Sequence, residues 1–251
     1  MNKYLKNLNK IEFVITYACT GRCKHCSEGD HLLRSTSISP DIAAEAVKKV
    51  VKEYPIQTVM TFGGEPLLYP NAVYKIHSAA RDIGIPKRQL ITNGYFSKDE
   101  STISSVARMI KGCGINDLLL SADAFHQETI PIDIIKSFAE KVQKESVPIR
   151  IQPAWLVSCD ADNPYNETTR NILAVFRSMG IGANQGNVIF PEGNALKYLR
   201  EYFNDSKPQN PYVEDSRDIR CLSFSPDGSV LNGNIYDTDI TKIMQDYEPK
   251  N

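Results

Sequence analysis

The sequence lacks long apolar runs and an excess of charge of either sign. Its 251 residues carry 29 Lys and Arg against 30 Asp and Glu, which gives no electrostatic reason to expect a nucleic acid or an anionic membrane as the main partner. No apolar run approaches the roughly 18 residues that span a bilayer. Residues 1–10 carry charge but no apolar centre, unlike a secretory signal. We therefore expect a cytoplasmic protein with no membrane partner.

Histidine is also scarce, with four residues beside six cysteines. Three cysteines fall between Cys19 and Cys26, and the other three, Cys113, Cys159 and Cys221, are scattered. In a reducing compartment, clustered cysteines are more often metal ligands or catalytic groups than disulfides. The hydrophobic and charged fractions, 41% and 24%, are ordinary for a globular chain and exclude a disordered or collagen-like one.

Six β-type runs alternate with helical segments. The predicted strands are 11–17, 57–62, 88–92, 117–121, 148–157 and 187–190, and the helices are 40–54, 71–83, 98–111, 131–145, 166–179 and 195–203. This alternation predicts an α/β fold with a parallel sheet and right-handed crossovers. The pattern fits an open doubly wound sheet or a partial barrel, and in both the ligands bind at the carboxyl ends of the strands.

The composition changes after residue 203. Residues 204–218 are polar and broken by proline, which is typical of a linker. Two runs, 219–224 and 229–231, then flank Pro226-Asp227-Gly228 and predict a β-hairpin, followed by a short helix over 238–247. We therefore predict one domain over 1–203 and a linker with a small hairpin and helix cap over 204–251.

The clustered cysteines have the spacing Cys19-x3-Cys23-x2-Cys26 and directly follow the first strand. Three thiolates can hold three irons of a four-iron cluster and leave the fourth iron without a protein ligand. Two alternatives remain at this point. His25 or His31 can complete a zinc site, and the thiols can be buried together by chance.

A second motif, Gly63-Gly64-Glu65-Pro66, follows the second strand. Two glycines let the backbone approach a ligand closely, and a carboxylate suits an ammonium group. Taken alone, the motif also fits a turn with a solvated glutamate.

Together the two motifs resemble the radical S-adenosylmethionine (SAM) superfamily, whose pattern is Cys-x3-Cys-x-aromatic-Cys followed by Gly-Gly-Glu-Pro. The resemblance covers about residues 11–200 and implies a partial (β/α)6 TIM-like barrel. It implies that Cys19, Cys23 and Cys26 ligate a [4Fe–4S] cluster whose open iron is chelated by SAM.

The resemblance also implies SAM contacts at the ends of the strands. His25 takes the place of the usual Tyr or Phe near the adenine, and Gly63, Gly64 and Glu65 meet the methionyl ammonium. Polar groups for the methionyl or ribose part are Asn93, Ser121 and Asp123, and weaker matches to an adenine-edge segment are Asn187 and Val188. For Ser121 and Asp123, a capping or turn role is the alternative.

The reaction implied by the resemblance is radical chemistry. A donor such as flavodoxin or ferredoxin reduces the cluster, and the reduced cluster gives one electron to SAM. The C5′–S bond breaks, and the 5′-deoxyadenosyl radical abstracts hydrogen from the substrate. His126 and Asp123 are the catalytic candidates, with His126 as a proton acceptor. The alternative is that His126 only packs or binds.

Residues 221–230 resemble the start of the SPASM/twitch extension found in peptide- and sugar-modifying members. No cysteine follows Cys221, and one cysteine cannot hold an auxiliary cluster, so we expect a cap without one. The function expected is hydrogen abstraction from a peptide or small metabolite. A viperin-like nucleotide-modifying enzyme, a glycyl-radical enzyme activase and a zinc-binding structural module are the alternatives.

Overall fold

Strands and helices alternate along the chain as the pattern predicts. The computed structural model describes residues 1–29, 36–203 and 210–249. The strands are β1 Lys10–Val14, β2 Thr58–Phe62, β3 Lys87–Thr92, β4 Asp117–Ser121, β5 Ile149–Gln152, β6 Ala154–Trp155, β7 Asn187–Val188, β8 Cys221–Phe224, β9 Ser229–Val230 and β10 Gly233–Asn234. The α-helices are α1 Pro40–Glu53, α2 Pro70–Asp82, α3 Glu100–Gly112, α4 Ala124–Gln127, α5 Ile132–Lys144, α6 Pro164–Ser178, α7 Gly193–Tyr198 and α8 Ile240–Gln245.

Six strands form one sheet in the order β5-β4-β3-β2-β1-β8, and every neighbouring pair is parallel. The predicted α/β class with a parallel sheet is confirmed. Within the ranges described, the sheet does not close on itself. All five strands from β1 to β5 run in the same direction, so their carboxyl ends lie at one edge, where the loops meet.

One face of the sheet packs on the helices. Alternate strand residues such as Ile11, Phe13 and Leu118 have no exposed area and share one core with the apolar sides of the helices. Helix α1 begins at Pro40, as the Ser-Pro pair predicts, and buries Ala43, Ala44, Ala46, Val47 and Val50. Among the described helices, none is long and apolar enough to cross a membrane.

The fifth predicted strand, 148–157, is divided in two at Pro153. Proline has no amide hydrogen for a ladder, so β5 ends before it and β6 begins after it. Strand β6 pairs in parallel with β7, and the Asn187 amide donates to the Pro153 carbonyl over 2.9 Å. The sixth predicted strand, 187–190, therefore forms a two-residue pairing beside the end of the fifth.

The C-terminal segment differs from its prediction. The run 219–224 does not form a hairpin with 229–231. Instead β8 adds to the main sheet beside β1, and the antiparallel pair is β9 with β10. An uncovered β1 edge would leave backbone groups unpaired, and β8 satisfies them. Strand β8, which lies beyond residue 203, thus belongs to the main sheet, and the division of the chain at residue 203 stays a prediction.

Candidate active site

A cavity opens at the carboxyl ends of β1 to β4. Its volume is about 110 Å³, below the roughly 300–1,000 Å³ typical of drug-sized ligand sites. It is lined by Cys19, Gly21, Cys23, His25, Cys26, Gly63, Gly64, Ile91, Thr92, Asn93, Ser121 and His126. The structure therefore brings both sequence motifs and the predicted strand-end residues Asn93, Ser121 and His126 to one place.

The three clustered cysteines lie in the loop after β1, and none forms a disulfide. Burial raises the pKa of Cys19 to about 12, although the Gly21 amide donates a hydrogen bond to its sulfur over 3.3 Å. Burial also raises the pKa of Cys23 and of Cys26. Thiolates at these positions need a cation to compensate their charge, which an iron cluster provides. This donor set therefore fits a [4Fe–4S] cluster.

A mixed set of ligands also meets in the cavity. One ligand atom each from Cys23, His25 and His126 lies within 4.8 Å of the others, and zinc accepts such nitrogen and sulfur donors. The Nδ1 of His25 is buried without a hydrogen-bond partner. His31, the other predicted zinc ligand, lies outside the described residues.

The two glycines after β2 are required by the cysteine loop itself. Gly63 has φ +146°, and a Cβ there would lie 2.5 Å from the carbonyl oxygen of Thr16. A Cβ on Gly64 would lie 2.2 Å from the Ala18 carbonyl oxygen. The amides of Gly64 and Glu65 donate to those same carbonyls, each over 2.8 Å. The motif therefore fastens the loop after β2 to the loop that carries the cysteines.

The Glu65 carboxylate does not line the cavity and is fully buried. It accepts hydrogen bonds from the Leu67 amide at 2.9 Å, the Thr92 hydroxyl at 2.7 Å and the Asn93 amide at 2.8 Å. Burial raises its pKa to about 7, against the opposing effect of these donors. In this arrangement the carboxylate joins the ends of β2 and β3, and its expected contact with the SAM ammonium stays a prediction.

Asn93 lines the cavity beside the first cysteine. Its Nδ2 donates to the Cys19 sulfur at 3.5 Å and to the Thr20 hydroxyl at 3.3 Å, while its Oδ1 accepts from the Tyr95 amide. Ser121 ends β4 on the same cavity wall. Their expected contacts with SAM stay predictions.

Asp123 caps a short helix, α4, which the sequence pattern did not predict. It has no exposed area, and its Oδ1 accepts from the amides of Phe125 and His126. Its Oδ2 accepts from the Ala154 amide and lies 2.8 Å from His126 Nδ1. Burial acts to raise the Asp123 pKa, but His126 outweighs it and holds that pKa at about 2. The capping alternative is therefore the observed one, and Asp123 does not line the cavity.

The ionised Asp123 fixes the orientation of His126. A carboxylate can only accept, so the His126 Nδ1 carries the hydrogen and Nε2 remains the basic nitrogen. The His25 ring packs against His126 and Phe125, with ring centroids 4.8 and 5.1 Å apart. Burial lowers the pKa of His25 to about 4, so its ring is neutral at pH 7 and serves as a flat wall.

Asn187 and Val188 lie outside the cavity lining. Both are exposed in β7, with Val188 at 42%, and their expected adenine contact stays a prediction. Sequence reasoning missed Ile91 and Thr92, which line the cavity at the end of β3. The strand alternation carried a signal for Ile91, because it lies on the same strand face as Asn93.

Comparisons with known proteins identify the family of this chain. The family profile described as Radical SAM superfamily matches residues 13–147. A "Probable GTP 3',8-cyclase" of Sulfolobus acidocaldarius is 24% identical over 72% of this chain and 54% of its own length. One from Saccharolobus islandicus strain L.S.2.15 is 25% identical over 90% of this chain and 72% of its own. This chain thus spans little more than half of the first relative.

The fold also resembles that of native anSMEcpe solved with bound AdoMet and Cp18Cys peptide. The TM-score is 0.60 over 95% of this chain and 80% of that chain, at 14% identity, which speaks for a shared partial-barrel fold. Enzymes of the profile's family use a [4Fe–4S] cluster and SAM, and the three clustered cysteines fit that use. Because the profile covers more than half of its residues, this chain belongs to the radical SAM superfamily.

Proposed function

We propose that this enzyme cleaves SAM reductively and abstracts a hydrogen atom from a peptide or small-molecule substrate. The supporting observation is that Cys19, Cys23, Cys26 and His126 converge on one cavity. When bound, the cluster would give one electron to SAM, and loss of the C5′–S bond would release methionine and leave a 5′-deoxyadenosyl radical that takes a hydrogen atom from the substrate. A flavodoxin or ferredoxin is the proposed donor, and the cytoplasm the proposed compartment.

The chain's own residues hold and orient the reactants. Gly63 and Gly64 keep the cysteine loop against the end of β2, and Asn93 donates to the Cys19 sulfur. We assign the proton step to His126, whose Nε2 accepts a proton from the substrate radical that hydrogen abstraction leaves, while Asp123 holds Nδ1. Asp123 is a positioning residue in this scheme, because it touches neither the cavity nor a substrate.

The charge of the cavity favours a peptide or an uncharged metabolite. No Lys or Arg lines it within the described ranges, and the nearby Lys24 pairs with Glu128 at 2.9 Å. A nucleoside triphosphate favours charge-assisted donors for its phosphates. The second candidate is nonetheless GTP or a related nucleotide, because the curated relatives are named GTP 3',8-cyclases.

Deuterium transfer separates these substrates. The reconstituted enzyme is incubated anaerobically with SAM and dithionite, together with the deuterated peptide fraction or a nucleotide-free metabolite fraction of cells grown in heavy water, or with deuterated GTP. We expect deuterium in 5′-deoxyadenosine from the peptide or metabolite fraction, because the radical takes its hydrogen from the substrate carbon. Mass spectrometry of the 5′-deoxyadenosine measures it.

Two outcomes contradict the proposal: label from GTP alone, which favours the second candidate, and label from none of the three. His126→Gln tests the proton step with the fraction that transfers label. We expect label transfer to persist while product formation falls about 100-fold, the usual contribution of a general base. His77→Gln, a change at a buried histidine away from the cavity, is the matched control.

A further inference from the structure

Asn194 fastens the cysteine loop to a part of the chain outside the region matched by the family profile. It lies at the start of α7, and its backbone amide donates to the Cys26 carbonyl over 2.8 Å. Its side-chain Nδ2 donates to the Cys23 carbonyl at 3.2 Å and to the Gly29 carbonyl at 3.4 Å. One residue thus contacts the backbone of two cluster ligands.

The neighbouring glycine makes this approach possible. Gly193 has φ +53°, and a Cβ there would lie 2.2 Å from the Ser27 carbonyl oxygen and 2.6 Å from that of Cys26. No side chain fits at that distance, so the turn into α7 runs directly against the cysteine loop.

Apolar packing holds α7 in the same place. Ala195 and Leu199 have no exposed area and share a small hydrophobic cluster with Cys23, Phe125 and Ile189. This packing holds α7 beside the cysteine loop and therefore fixes the position of Asn194.

We propose that Asn194 is a positioning residue for the [4Fe–4S] cluster, an inference that rests on the proposed ligand set. Its three hydrogen bonds fix the backbone from Cys23 to Gly29, so that two of the three ligand sulfurs are preorganised before iron binds. Groups that orient metal ligands typically change metal affinity by about 10–100-fold when they are removed.

The test compares Asn194→Ala with Asn210→Ala in the full chain. Asn210 is a polar residue of the same region that donates only to the Glu192 side chain in the described structure. After anaerobic reconstitution, iron loss to an added chelator is followed by visible absorbance. The spectrum of the reduced cluster is recorded by electron paramagnetic resonance with and without SAM.

We expect iron loss from Asn194→Ala to be about tenfold faster than from the control, with an altered resonance spectrum in the presence of SAM. The urea midpoint of the iron-free protein should match that of the control. The inference is overturned if Asn194→Ala and the control lose iron at equal rates and give equal resonance spectra. It is also overturned if the urea midpoint of the iron-free Asn194→Ala protein is lowered enough to account for the faster iron loss. If the unsubstituted chain binds no cluster at all, it is the proposed function that fails.

Discussion

At the scale of single residues, His77 shows how burial sets a protonation state. It lies on α2 with no exposed area, and one ring nitrogen, Nε2, is 2.8 Å from the Thr61 hydroxyl. Burial lowers its pKa to about 3 from the usual 6.5, and the charge of Arg88 adds to the effect. The folded protein therefore holds this ring neutral, whereas the unfolded chain protonates it near pH 6.5.

This difference predicts a loss of stability in mild acid. Because the unfolded chain binds the proton first, the stability that the neutral ring contributes is complete above pH 6.5 and is lost as the pH falls towards about 3. For this one group the loss between about pH 7.5 and about pH 5.5 is about 1.3 kcal/mol. Urea unfolding of the unsubstituted chain and of His77→Gln at both pH values measures it.

The comparison isolates His77 because both chains share every other titrating group. The free-energy difference between the two proteins should shift by the stated amount in favour of the variant at the lower pH. If the difference in free energy of unfolding between the two proteins is the same at both pH values, the His77 ring is not held neutral in the folded protein.

The two motif carboxylates show what residue identity leaves undetermined. Glu65 and Asp123 are both buried acceptors of backbone amides, and their expected contacts with SAM stay predictions. A buried carboxylate needs several donors, and some of them, such as the amides of Asn93 and Ala154, come from segments that only the fold brings together. The sequence placed both residues beside the cavity but did not determine which way their side chains point.

At the scale of elements, β8 completes the sheet beside β1. Phe224 of β8 stacks on Phe13 of β1 with ring centroids 4.7 Å apart, and neither ring has exposed area. The C-terminal strand therefore contributes to the same core as the first strand, although more than 200 residues separate them in the sequence.

Loss of this contact should destabilise the whole protein. Phe224→Ala removes a buried ring and leaves a cavity, so we expect the free energy of unfolding to fall by about 3–5 kcal/mol. Ser223→Ala, an exposed neighbour on the other face of the same strand, is the matched control. Chemical denaturation measures both, and a Phe224→Ala protein as stable as the control would mean that β8 is not part of the main core.

Elements with strong local signals were predictable, and their partners were not. The start of α1 at Pro40 and the bounds of β4 at Asp117–Ser121 agree with the pattern, because caps and apolar runs are local. The pairing of β8 with β1 depends on which edge is left open after the other strands have paired, and a four-residue run carries no such information.

At the scale of the whole molecule, two parts of the chain meet at the cysteine loop. The strands matched by the family profile form the floor of the cavity, and the later segment around α7 packs against the cysteine loop. The spacing of the two motifs was enough to predict the first part. The contribution of α7 was missed because an isolated Gly193-Asn194 pair carries no motif of its own.

The central claim is that Cys19, Cys23 and Cys26 hold the cluster that cleaves SAM, and the most direct measurement is the formation of 5′-deoxyadenosine. After anaerobic iron and sulfide reconstitution, with dithionite and SAM, we expect 5′-deoxyadenosine and methionine from the unsubstituted chain and from Cys159→Ala, whose thiol is exposed and distant from the motif. We expect none from an Ala substitution at any of the three motif cysteines. Intact SAM with the reconstituted unsubstituted chain, or undiminished cleavage by a motif variant, would contradict the account.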